Sequence, residues 1–552
     1  MRFGLNFVKD FIKFDTPIKK LALILTNLGI EVENIEKIKN DYVFEIEVTS
    51  NRYDLLSILG IAREIAIGLN KKLNFKFPKI EKVKVLKEKN IIIENELDCP
   101  FYIGRVIRDI KIKESPPWLK ERLLSCGINS INNIVDITNY CMLKWGNPLH
   151  AFDLDKIEGP IFIRRAKEGE IFVGIDGKER ALCEENLVIA DQKKVIALAG
   201  VMGAKNSEVD INTKNIFLEA AIFSPLTIRR SRRFVGLDTE SSYRFERQVN
   251  PKYLEYASYE GSYLIEKLGE GKHLGYIEVG KRPKIKTIKL NLNLNELNSF
   301  LGTQILEKEA LSILKRLNFK VDTINKKFIV GVCDYRFDIK RKEDLFEEVS
   351  RVYGYDKIPN VLPNLISKVK KDSFYYFKNK LRVHLSTLGL KEIITYSLEE
   401  EEKLLKIGEK DFIKISNPLS QDLNVLRTNL FLGLLNVFIY NLNYNRKDLR
   451  FFEIAKIYFQ KNNKCIEKDA LALATIEREY SFFYLKAVIE EILSNLNIEY
   501  RFEEAPLENF TNCLKIFSSD TYLGFLAKAN KKILDIFDFK EEFNFSQLDL
   551  NL

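Results

Sequence analysis

The sequence predicts a multidomain α+β protein, and three observations lead to this fold class. The chain has 552 residues, well beyond the size at which one hydrophobic core stops growing, so several domains are expected. Hydrophobic residues make up 46% and charged residues 30% of it, as in ordinary soluble globular proteins. Short β-like runs alternate with helical patterns, and no internal repeat or low-complexity tract interrupts them.

The composition also excludes several classes of protein. The 87 Lys+Arg and 78 Asp+Glu residues give a net charge of +9, which suits a solvated lysine-rich surface as well as a polyanionic partner. The seven cysteines form no C-x-x-C pair, so neither a zinc site nor a disulfide framework is predicted. No apolar run is long enough to span a bilayer, so we expect a cytoplasmic protein without a membrane association.

Residues 1–75 are predicted to form an N-terminal α/β unit. A helix covers Ile18–Leu28 and ends at Gly29, and the run YVFEIEV is a strand. The next run, SNRYDLLSILGIAREIAIGL, has apolar residues at helical spacing, and Asp54 is predicted to cap this helix. The lysine-rich stretch that follows, Lys71–Lys89, is interpreted as a connector.

Residues 91–275 are predicted to form a larger mixed α/β domain. The β-like runs IFIRRA, IFVGID, LVIAD, VIALAGVMG and IFLEAAIF alternate there with helices such as PPWLKERLLSCG and SPLTIRRSRRFVG. A Ser-Pro pair opens both helices, and it suits the N-cap and the first turn.

Residues 285–362 are predicted to form a small helical or winged domain, because two short helices break at Gly302 and are followed by the strand FIVGV and a charged helix. Such a helix-turn-helix unit is used for packing as well as for nucleic-acid binding, and we do not interpret it as a DNA-binding element. Residues 373–552 start with a helix, continue through the alternating FFEIAKIYF and close with a series of strands.

One set of polar residues in the second domain could carry chemistry. Strand-forming sequence separates Thr138, Asn139 and His150 from Gly200 and Glu219, and could bring the two groups together. Each residue also has a structural explanation: a turn residue, a satisfied histidine or a surface carboxylate.

A second candidate is a set of four carboxylates. Three of them share one predicted helix at spacings of three and four residues, and oxygen ligands of this kind suit magnesium. The alternative is that the first of these caps the helix and the glutamates face solvent. The four residues are Asp338, Asp344, Glu347 and Glu348.

Five motifs between Ile131 and Pro251 resemble those of bacterial phenylalanyl-tRNA synthetase β subunits. They are ITNY, HAFD, LAGVMGA, LE and TESSYRFERQVNP, in the family's order and spacing. Three further segments also resemble the family, so that the resemblance covers nearly the whole chain. These are VTSNRYDLLSILGIAREIA, YRFDIKRKEDLFEEVSRVYGYDKIP and NPLSQDLNVLRTNL.

The resemblance implies that residues 91–275 are an editing domain that hydrolyses tyrosyl-tRNA. Glu219 is then expected to accept a hydrogen bond from the tyrosine phenol. Ser241 stands where the family has alanine, so the tuning of the pocket is left open. Ala204 stands where the family has glycine, and this change is expected to be tolerated if the position does not need a positive φ. The other pocket residues that the resemblance implies are Thr138, Asn139, His150, Gly200 and Gly203.

The resemblance also implies partners and cofactors. A partner α subunit is expected to attach phenylalanine to tRNA(Phe) with ATP in an α2β2 heterotetramer, so no aminoacylation residue is expected in this chain. Residues 373–552 would be a class II synthetase-like antiparallel-sheet core used for assembly. Its nearest ATP-clamping candidates are Arg427 and Arg450, which structural ion pairs explain equally well. Mg²⁺ is expected on the four carboxylates, at the boundary with the α subunit.

Two tRNA-binding domains of bacterial relatives are expected to be missing. The OB-fold insertion would fall between EVENIEKIKN and VFEIEVTSNRYD, and the anticodon-binding domain would follow FNFSQLDLNL. Two other functions therefore stay open. The chain could be a scaffold or tRNA-binding subunit with a decayed editing site, or a freestanding editing hydrolase.

Overall fold

The computed structural model describes residues 1–75, 77–80, 84–86, 90–324, 327–362, 372–462, 464–476 and 481–551. It divides into two compact units, Met1–Leu362 and Pro363–Leu552. The prediction of a mixed α/β multidomain protein is confirmed at this level. Two units are a coarser division than the four predicted domains, whose boundaries stay predictions. Part of the predicted connector Lys71–Lys89 lies outside the described residues.

The N-terminal part of the first unit is built on a three-stranded sheet of order β1-β3-β2. Only residues 39–40 join β2 to β3, with Lys39 at φ 51°, so this hairpin contains no inserted domain, as the sequence predicts. The elements are β1 (Arg2–Gly4), α1 (Leu5–Val8), α2 (Ile18–Asn27), β2 (Val32–Ile38), β3 (Asp41–Ile46) and α3 (Ile58–Gly68).

Helix α3 corrects one prediction about capping. The Ser57 side chain, and not that of Asp54, accepts the hydrogen bond from the Gly60 N–H at 3.1 Å. Asp54 lies in the preceding 3-10 turn, where it pairs with Arg52. The helix begins at Ile58, so Ser57 and not Asp54 occupies the N-cap position.

The central part of the first unit contains two larger sheets, of order β12-β11-β10-β7-β4 and β14-β5-β13-β6, and the hairpin β8-β9. Its strands are β4 (Ile91–Ile93), β5 (Phe101–Arg108), β6 (Leu149–Asp153), β7 (Ile161–Arg165), β8 (Ile171–Val173), β9 (Glu179–Ala181), β10 (Leu187–Ala190), β11 (Val195–Leu198), β12 (Met202–Gly203), β13 (Ile216–Ile222) and β14 (Lys272–Gly280). Its helices are α4 (Pro117–Ser125), α5 (Asn133–Trp145), α6 (Pro225–Val235), α7 (Glu240–Phe245) and α8 (Pro251–Gly269).

Helices α5 and α8 cover one face of the four-stranded sheet. A Cβ added at Gly261 of α8 would lie 2.9 Å from Leu149 of β6 and 3.3 Å from Leu218 of β13. Side chains alternate along a strand, so the neighbouring residues His150 and Glu219 face the opposite side of this sheet. The core of the first unit therefore positions these two residues together.

The last part of the first unit carries a three-stranded sheet of order β15-β17-β16 with three helices. Helix α9 ends at Gly302, whose φ of 67° suits a left-handed C-cap. The elements are β15 (Lys289–Asn293), α9 (Leu294–Leu301), α10 (Glu307–Arg316), β16 (Lys320–Ile324), β17 (Lys327–Gly331) and α11 (Lys342–Tyr353).

The second unit is built on a seven-stranded sheet of order β18-β21-β22-β26-β25-β24-β23. All its pairs are antiparallel except β18–β21. Its helices are α12 (Ser373–Thr387), α13 (Glu401–Lys406), α14 (Phe431–Asn443), α15 (Ser481–Asn495) and α16 (Lys531–Ile536). Its strands are β18 (Lys391–Glu392), β19 (Leu398–Glu399), β20 (Val425–Leu426), β21 (Arg450–Lys461), β22 (Lys464–Ile476), β23 (Arg501–Glu504), β24 (Phe510–Ser518), β25 (Thr521–Ala529) and β26 (Phe543–Asp549).

A buried chain of alternating charges ties α3 to α11 in the first unit. Glu64 of α3 accepts from Arg351 of α11 at 2.7 Å and from Arg52 at 2.7 Å. Arg351 also pairs with Glu348 at 2.6 Å, and Glu348 with Arg336 at 2.6 Å. This row of charges ends in a bidentate ion pair on each side. The two pairs are Arg52 with Asp54 and Arg336 with Asp338.

Among the residues that the structure describes, no helix is both long enough and apolar enough to cross a membrane.

Removing Arg351 tests the buried charge chain. Arg351→Met would leave Glu64 and Glu348 buried without their shared partner, and we expect the free energy of unfolding to fall by about 3–5 kcal/mol. Arg341→Met is the control, because the Arg341 side chain is 75% exposed and lies 3.7 Å from its partner, so that a loss below about 1 kcal/mol is expected. Denaturant unfolding of the full chain measures both, and equal losses would contradict the network.

Candidate functional site

Glu219 and His150 form the centre of the candidate site. They are directly paired residues on the neighbouring strands β13 and β6. On its other side Glu219 is paired with Gly104 of β5. A Cβ at Gly104 would lie 2.1 Å from the Phe217 ring, so glycine leaves room for that aromatic ring beside Glu219. The sheet thus presents a carboxyl group and an imidazole side by side.

Burial makes both groups neutral near pH 7. It raises the pKa of Glu219 to about 8 and lowers the pKa of His150 to about 4. The nearby Tyr102 phenol opposes the rise in the pKa of Glu219, yet its buried hydroxyl does not reach hydrogen-bond geometry with any described residue. The site therefore presents a carboxylic acid and a neutral imidazole rather than an ion pair.

The His150 ring is held by packing. Its plane lies edge-on to the Phe152 ring, with 4.5 Å between the ring centroids. A Cβ at Gly203 would lie 2.5 Å from the imidazole Cε1 and Nε2 atoms, so only glycine allows β12 to approach this ring. Within the described part of the chain, no serine, threonine or cysteine hydrogen-bonds to His150, so the geometry offers no activated nucleophile.

Helix α5 brings Thr138 and Asn139 to the site. It begins at Asn132, whose side chain accepts from the Ile134 and Val135 N–H groups, and ends at Gly146 with φ 77°. The Thr138 hydroxyl donates to the Val135 carbonyl oxygen at 2.7 Å. The half-buried Asn139 amide has no protein partner in the described ranges and is available to a ligand.

The loop after β11 forms another wall. Gly200 has φ 66°, and a Cβ there would lie 3.0 Å from Ile228 and from Phe245, so both the backbone conformation and the space require glycine. Ala204 has φ −86°. Alanine is therefore tolerated at this position, as the sequence analysis expects for a position without positive φ.

Ser241 lies at the start of α7, which Thr239 and Ser242 cap reciprocally. The Ser241 hydroxyl oxygen lies 3.9 Å from the sulfur of Met142 on α5. An alanine here would lack this polar contact. Both residues line the cavity, so the Ser241 hydroxyl occupies space there that an alanine would leave free.

All of the predicted pocket residues line one cavity of about 320 Å³, a size in the usual range for small-ligand sites. The members are Thr138, Asn139, His150, Gly200, Gly203, Glu219 and Ser241. Further lining residues, which the sequence did not reveal, include Met142, Glu208 and Thr239. Thr239 opens the quoted TESSYRFERQVNP motif and could have been found there, whereas Met142 and Glu208 reach the cavity only through the fold.

The four predicted magnesium ligands are placed differently. Asp338, Asp344 and Glu347 line a second cavity of about 330 Å³, but Glu348 does not. Arg336 donates to both oxygens of Asp338 and to both oxygens of Glu348. Although burial opposes ionisation of Glu348, Arg351 and Arg336 hold its pKa well below the ordinary value.

The alternative interpretation, in which Asp344 caps the helix and the glutamates face solvent, is confirmed for Asp344 and wrong for Glu348. The Asp344 carboxylate accepts from the Lys340 and Arg341 N–H groups at 2.7 and 2.8 Å, as a capping residue, while Glu348 is buried instead of facing solvent. No group of three or more His, Cys, Asp or Glu in the described ranges is arranged to hold a metal ion. Asp338 and Glu348 as placed fit an arginine network better than a magnesium site, so magnesium there stays a prediction.

The two arginines considered for ATP binding are held in structural contacts. Arg427 donates to Glu453 at 3.1 Å and to the Lys456 carbonyl oxygen at 2.9 Å. Arg450 pairs with Asp448 at 2.8 Å and lies 4.9 Å from the Tyr484 ring centroid. These contacts agree with the salt-bridge interpretation.

Three family models match the chain. They are the B3/4 domain over residues 98–270, the tRNA synthetase B5 domain over residues 290–355 and the phenylalanyl tRNA synthetase beta chain CLM domain over residues 358–550. The first of these ranges contains the whole cavity around Glu219.

Curated relatives match over most of the chain. The phenylalanine–tRNA ligase beta subunit of Carboxydothermus hydrogenoformans is 36% identical over 92% of this chain and 67% of its own length. That of Thermotoga maritima is 34% identical over 98% of this chain and 69% of its own length. A solved N-terminal fragment of the phenylalanyl-tRNA synthetase beta-subunit from Pyrococcus horikoshii is 17% identical, with a TM-score of 0.37, over 64% of this chain and 99% of that chain.

The protonation of Glu219 predicts how stability depends on pH. Its folded pKa of about 8 lies above the ordinary value of 4.5, so the stabilisation from the neutral form is complete below about pH 4.5 and is lost as the pH rises through 8. Glu219→Gln does not titrate. We therefore expect the melting temperature of the wild type to fall relative to Glu219→Gln between pH 5 and pH 8.5. Glu121→Gln, on the exposed side of α4, is the control, and wild-type and Glu219→Gln curves that stay parallel would contradict the assignment.

Proposed function

The chain belongs to the family of phenylalanine–tRNA ligase β subunits, and we propose that it both supports phenylalanine attachment by an α subunit and hydrolyses tyrosyl-tRNA in its own cavity. The single observation that carries the second activity is Glu219, a buried carboxyl group that lines the cavity and whose neighbour Tyr102 lies outside hydrogen-bond geometry.

The subunit role follows from family membership. In this proposal the α subunit carries the aminoacylation site and the complex uses ATP and Mg²⁺. The two chains form an α2β2 heterotetramer in the cytoplasm that binds tRNA(Phe). The second unit would be a class II synthetase-like core used for assembly. The contacts of Arg427 and Arg450 support this division of labour, because both guanidinium groups are occupied by neighbouring residues.

Editing is useful because the aminoacylation pocket discriminates poorly between phenylalanine and tyrosine. A pocket built for phenylalanine cannot strongly reject a ligand that merely adds a hydroxyl, so a second, hydrolytic site improves accuracy. In the editing cavity Glu219 selects tyrosine over phenylalanine, because a tyrosine phenol donates a hydrogen bond to its carboxyl oxygen. Phenylalanine would leave the buried carboxyl group unpaired, at a cost of about 1–3 kcal/mol.

The remaining cavity residues then position the ester bond. The Asn139 amide is free to donate to the substrate, and the neutral His150 can accept a proton from a water molecule above its pKa of about 4. The backbone at Gly200 and Gly203 approaches closely because neither residue has a side chain. Hydrolysis would use this water directly, since the site offers no activated nucleophile.

A scaffold function with a decayed editing site is the second candidate. The observation that favours it is the Ser241 hydroxyl, which contacts Met142 and occupies space in the cavity that an alanine would leave free. A freestanding hydrolase is a third function. It predicts editing without any dependence on an α subunit.

One experiment separates these functions. The full chain and its α subunit are purified separately and together, and phenylalanine charging and the hydrolysis of tyrosyl-tRNA(Phe) are measured in parallel. We expect ATP-dependent charging only with both chains. We expect Glu219→Ala and His150→Ala to slow the hydrolysis of tyrosyl-tRNA(Phe) by on the order of 100-fold, with charging unchanged.

The control is Glu179→Ala, an exposed residue of β9 outside the cavity, which should keep both activities. Wild-type hydrolysis no faster than that of the two cavity variants would reject editing and support the scaffold function. Hydrolysis without any charging by the combined chains would support the freestanding hydrolase.

A further inference from the structure

A basic cleft of about 740 Å³ lies between the end of α3 and the side of α10, apart from the cavity around Glu219. Six of its lining residues are cationic, and no described lining residue is acidic. They are Arg63, Lys71, Lys72, Lys308, Lys315 and Arg316.

The two walls of the basic cleft are fixed to each other. Ile67 of α3 is buried in the same hydrophobic cluster as Ile313 and Leu314 of α10. The Arg316 guanidinium donates to the Ile67 carbonyl oxygen. Because one core and one hydrogen bond join the helices, the spacing of the charges is set by the fold.

Helix α10 presents one side to the basic cleft. Lys308, Ser312 and Lys315 follow each other at intervals of four and three residues and therefore share a face. At a rise of about 1.5 Å per residue, the two lysines are roughly 10 Å apart along the helix. The acidic residues of this helix, Glu307 and Glu309, are not part of the lining.

Three of the cations have structural partners. Arg63 donates to the Tyr253 hydroxyl at 2.7 Å, and Arg316 and Lys71 donate to backbone carbonyl oxygens. Arg316 and Lys71 also lie at the C-terminal end of α3, where positive charge stabilises a helix. This explanation does not extend to the other three cations.

Lys72, Lys308 and Lys315 are exposed, and none of them forms an ion pair within the described ranges. Three like charges held in one cleft create a positive potential that attracts a polyanion. A chain of phosphates is such a polyanion, and Ser312 and Asn318 offer donors for its oxygens in the same lining.

We propose that the basic cleft binds the phosphate backbone of tRNA. The choice of RNA as the occupant rests on the proposed function, whereas the preference for a polyanion rests on the charges alone. The competing occupant is an acidic surface of a partner protein. Measurements of tRNA binding and of copurification with the α subunit distinguish these two occupants.

The test compares two triple variants of the full chain with equal loss of charge. Lys72→Gln/Lys308→Gln/Lys315→Gln removes the unpaired cations of the basic cleft. Lys284→Gln/Lys286→Gln/Lys289→Gln removes three exposed lysines outside its lining. Binding of a transcript of tRNA(Phe) is titrated at several salt concentrations, and copurification with the α subunit is measured alongside.

We expect the cleft variant to bind the transcript on the order of 10-fold more weakly at 0.1 M salt, with a slope of log K against log salt shallower by about 2. The control variant should change the affinity by less than about twofold. Equal effects of both variants would overturn the proposal. Unchanged tRNA affinity with loss of copurification would overturn it in favour of an acidic protein partner.

The experiment also separates this proposal from the proposed function. If the wild-type chain charges tRNA with its α subunit while the cleft variant binds the transcript like the control, only the basic cleft is rejected. If the combined chains do not charge tRNA, the proposed function fails. A weakened cleft variant would then still identify a polyanion site.

Discussion

The candidate site depends on one physical constraint, the burial of the Glu219 carboxyl group at the centre of a sheet. A buried carboxylate without a counter-ion is costly, so the group stays protonated, and its pKa rises to about 8. The neighbouring strands accommodate it with Gly104 on one side and His150 on the other. Gly203 in turn accommodates the imidazole of His150. Gly104 and Gly203 thus leave room for the side chains that pack beside Glu219 and His150.

Selection of tyrosine follows from this arrangement. A cavity with mainly apolar walls accepts an aromatic ring, and the Glu219 carboxyl group in its lining distinguishes two rings that differ by a hydroxyl. Ser241 and Met142 adjust the width of the cavity from another side, where their contact joins α7 and α5. The polar group determines which ring is preferred, and the width determines whether either ring enters.

Helices and strands that depend on local sequence patterns were mostly predictable from the sequence. The apolar positions of α3, the C-terminal glycines of α2 and α9, and the strands β7, β8, β10, β11 and β13 follow from periodicity and turn residues. Strands β5, β6 and β14, which complete the sheet around Glu219, were not predicted. The cavity members were identified by motif and not by spacing, because Thr138 and Ser241 are about a hundred positions apart in the chain and only the fold unites them. The predicted cap at Asp54 was wrong, because the helix begins at Ile58 and Ser57 occupies the N-cap position.

Buried electrostatics were the part that the sequence did not reveal. The sequence predicted Asp338 and Glu348 as magnesium ligands. In the structure Asp338 pairs with Arg336, and Glu348 pairs with Arg336 and Arg351. That network depends on Glu64, which is far away in sequence. By joining α3 to α11, it also helps to fix the helix whose end forms one wall of the basic cleft.

The central claim is that Glu219 recognises the tyrosine hydroxyl, and amino-acid binding tests it most directly. Titration of the full chain with free tyrosine and with free phenylalanine compares two ligands that differ only at that group. We expect tyrosine to bind at least about 10-fold more tightly, equivalent to roughly 1.4 kcal/mol, and we expect Glu219→Ala to abolish the difference. Equal affinities in the wild type, or a preference for tyrosine that survives in Glu219→Ala, would contradict the account.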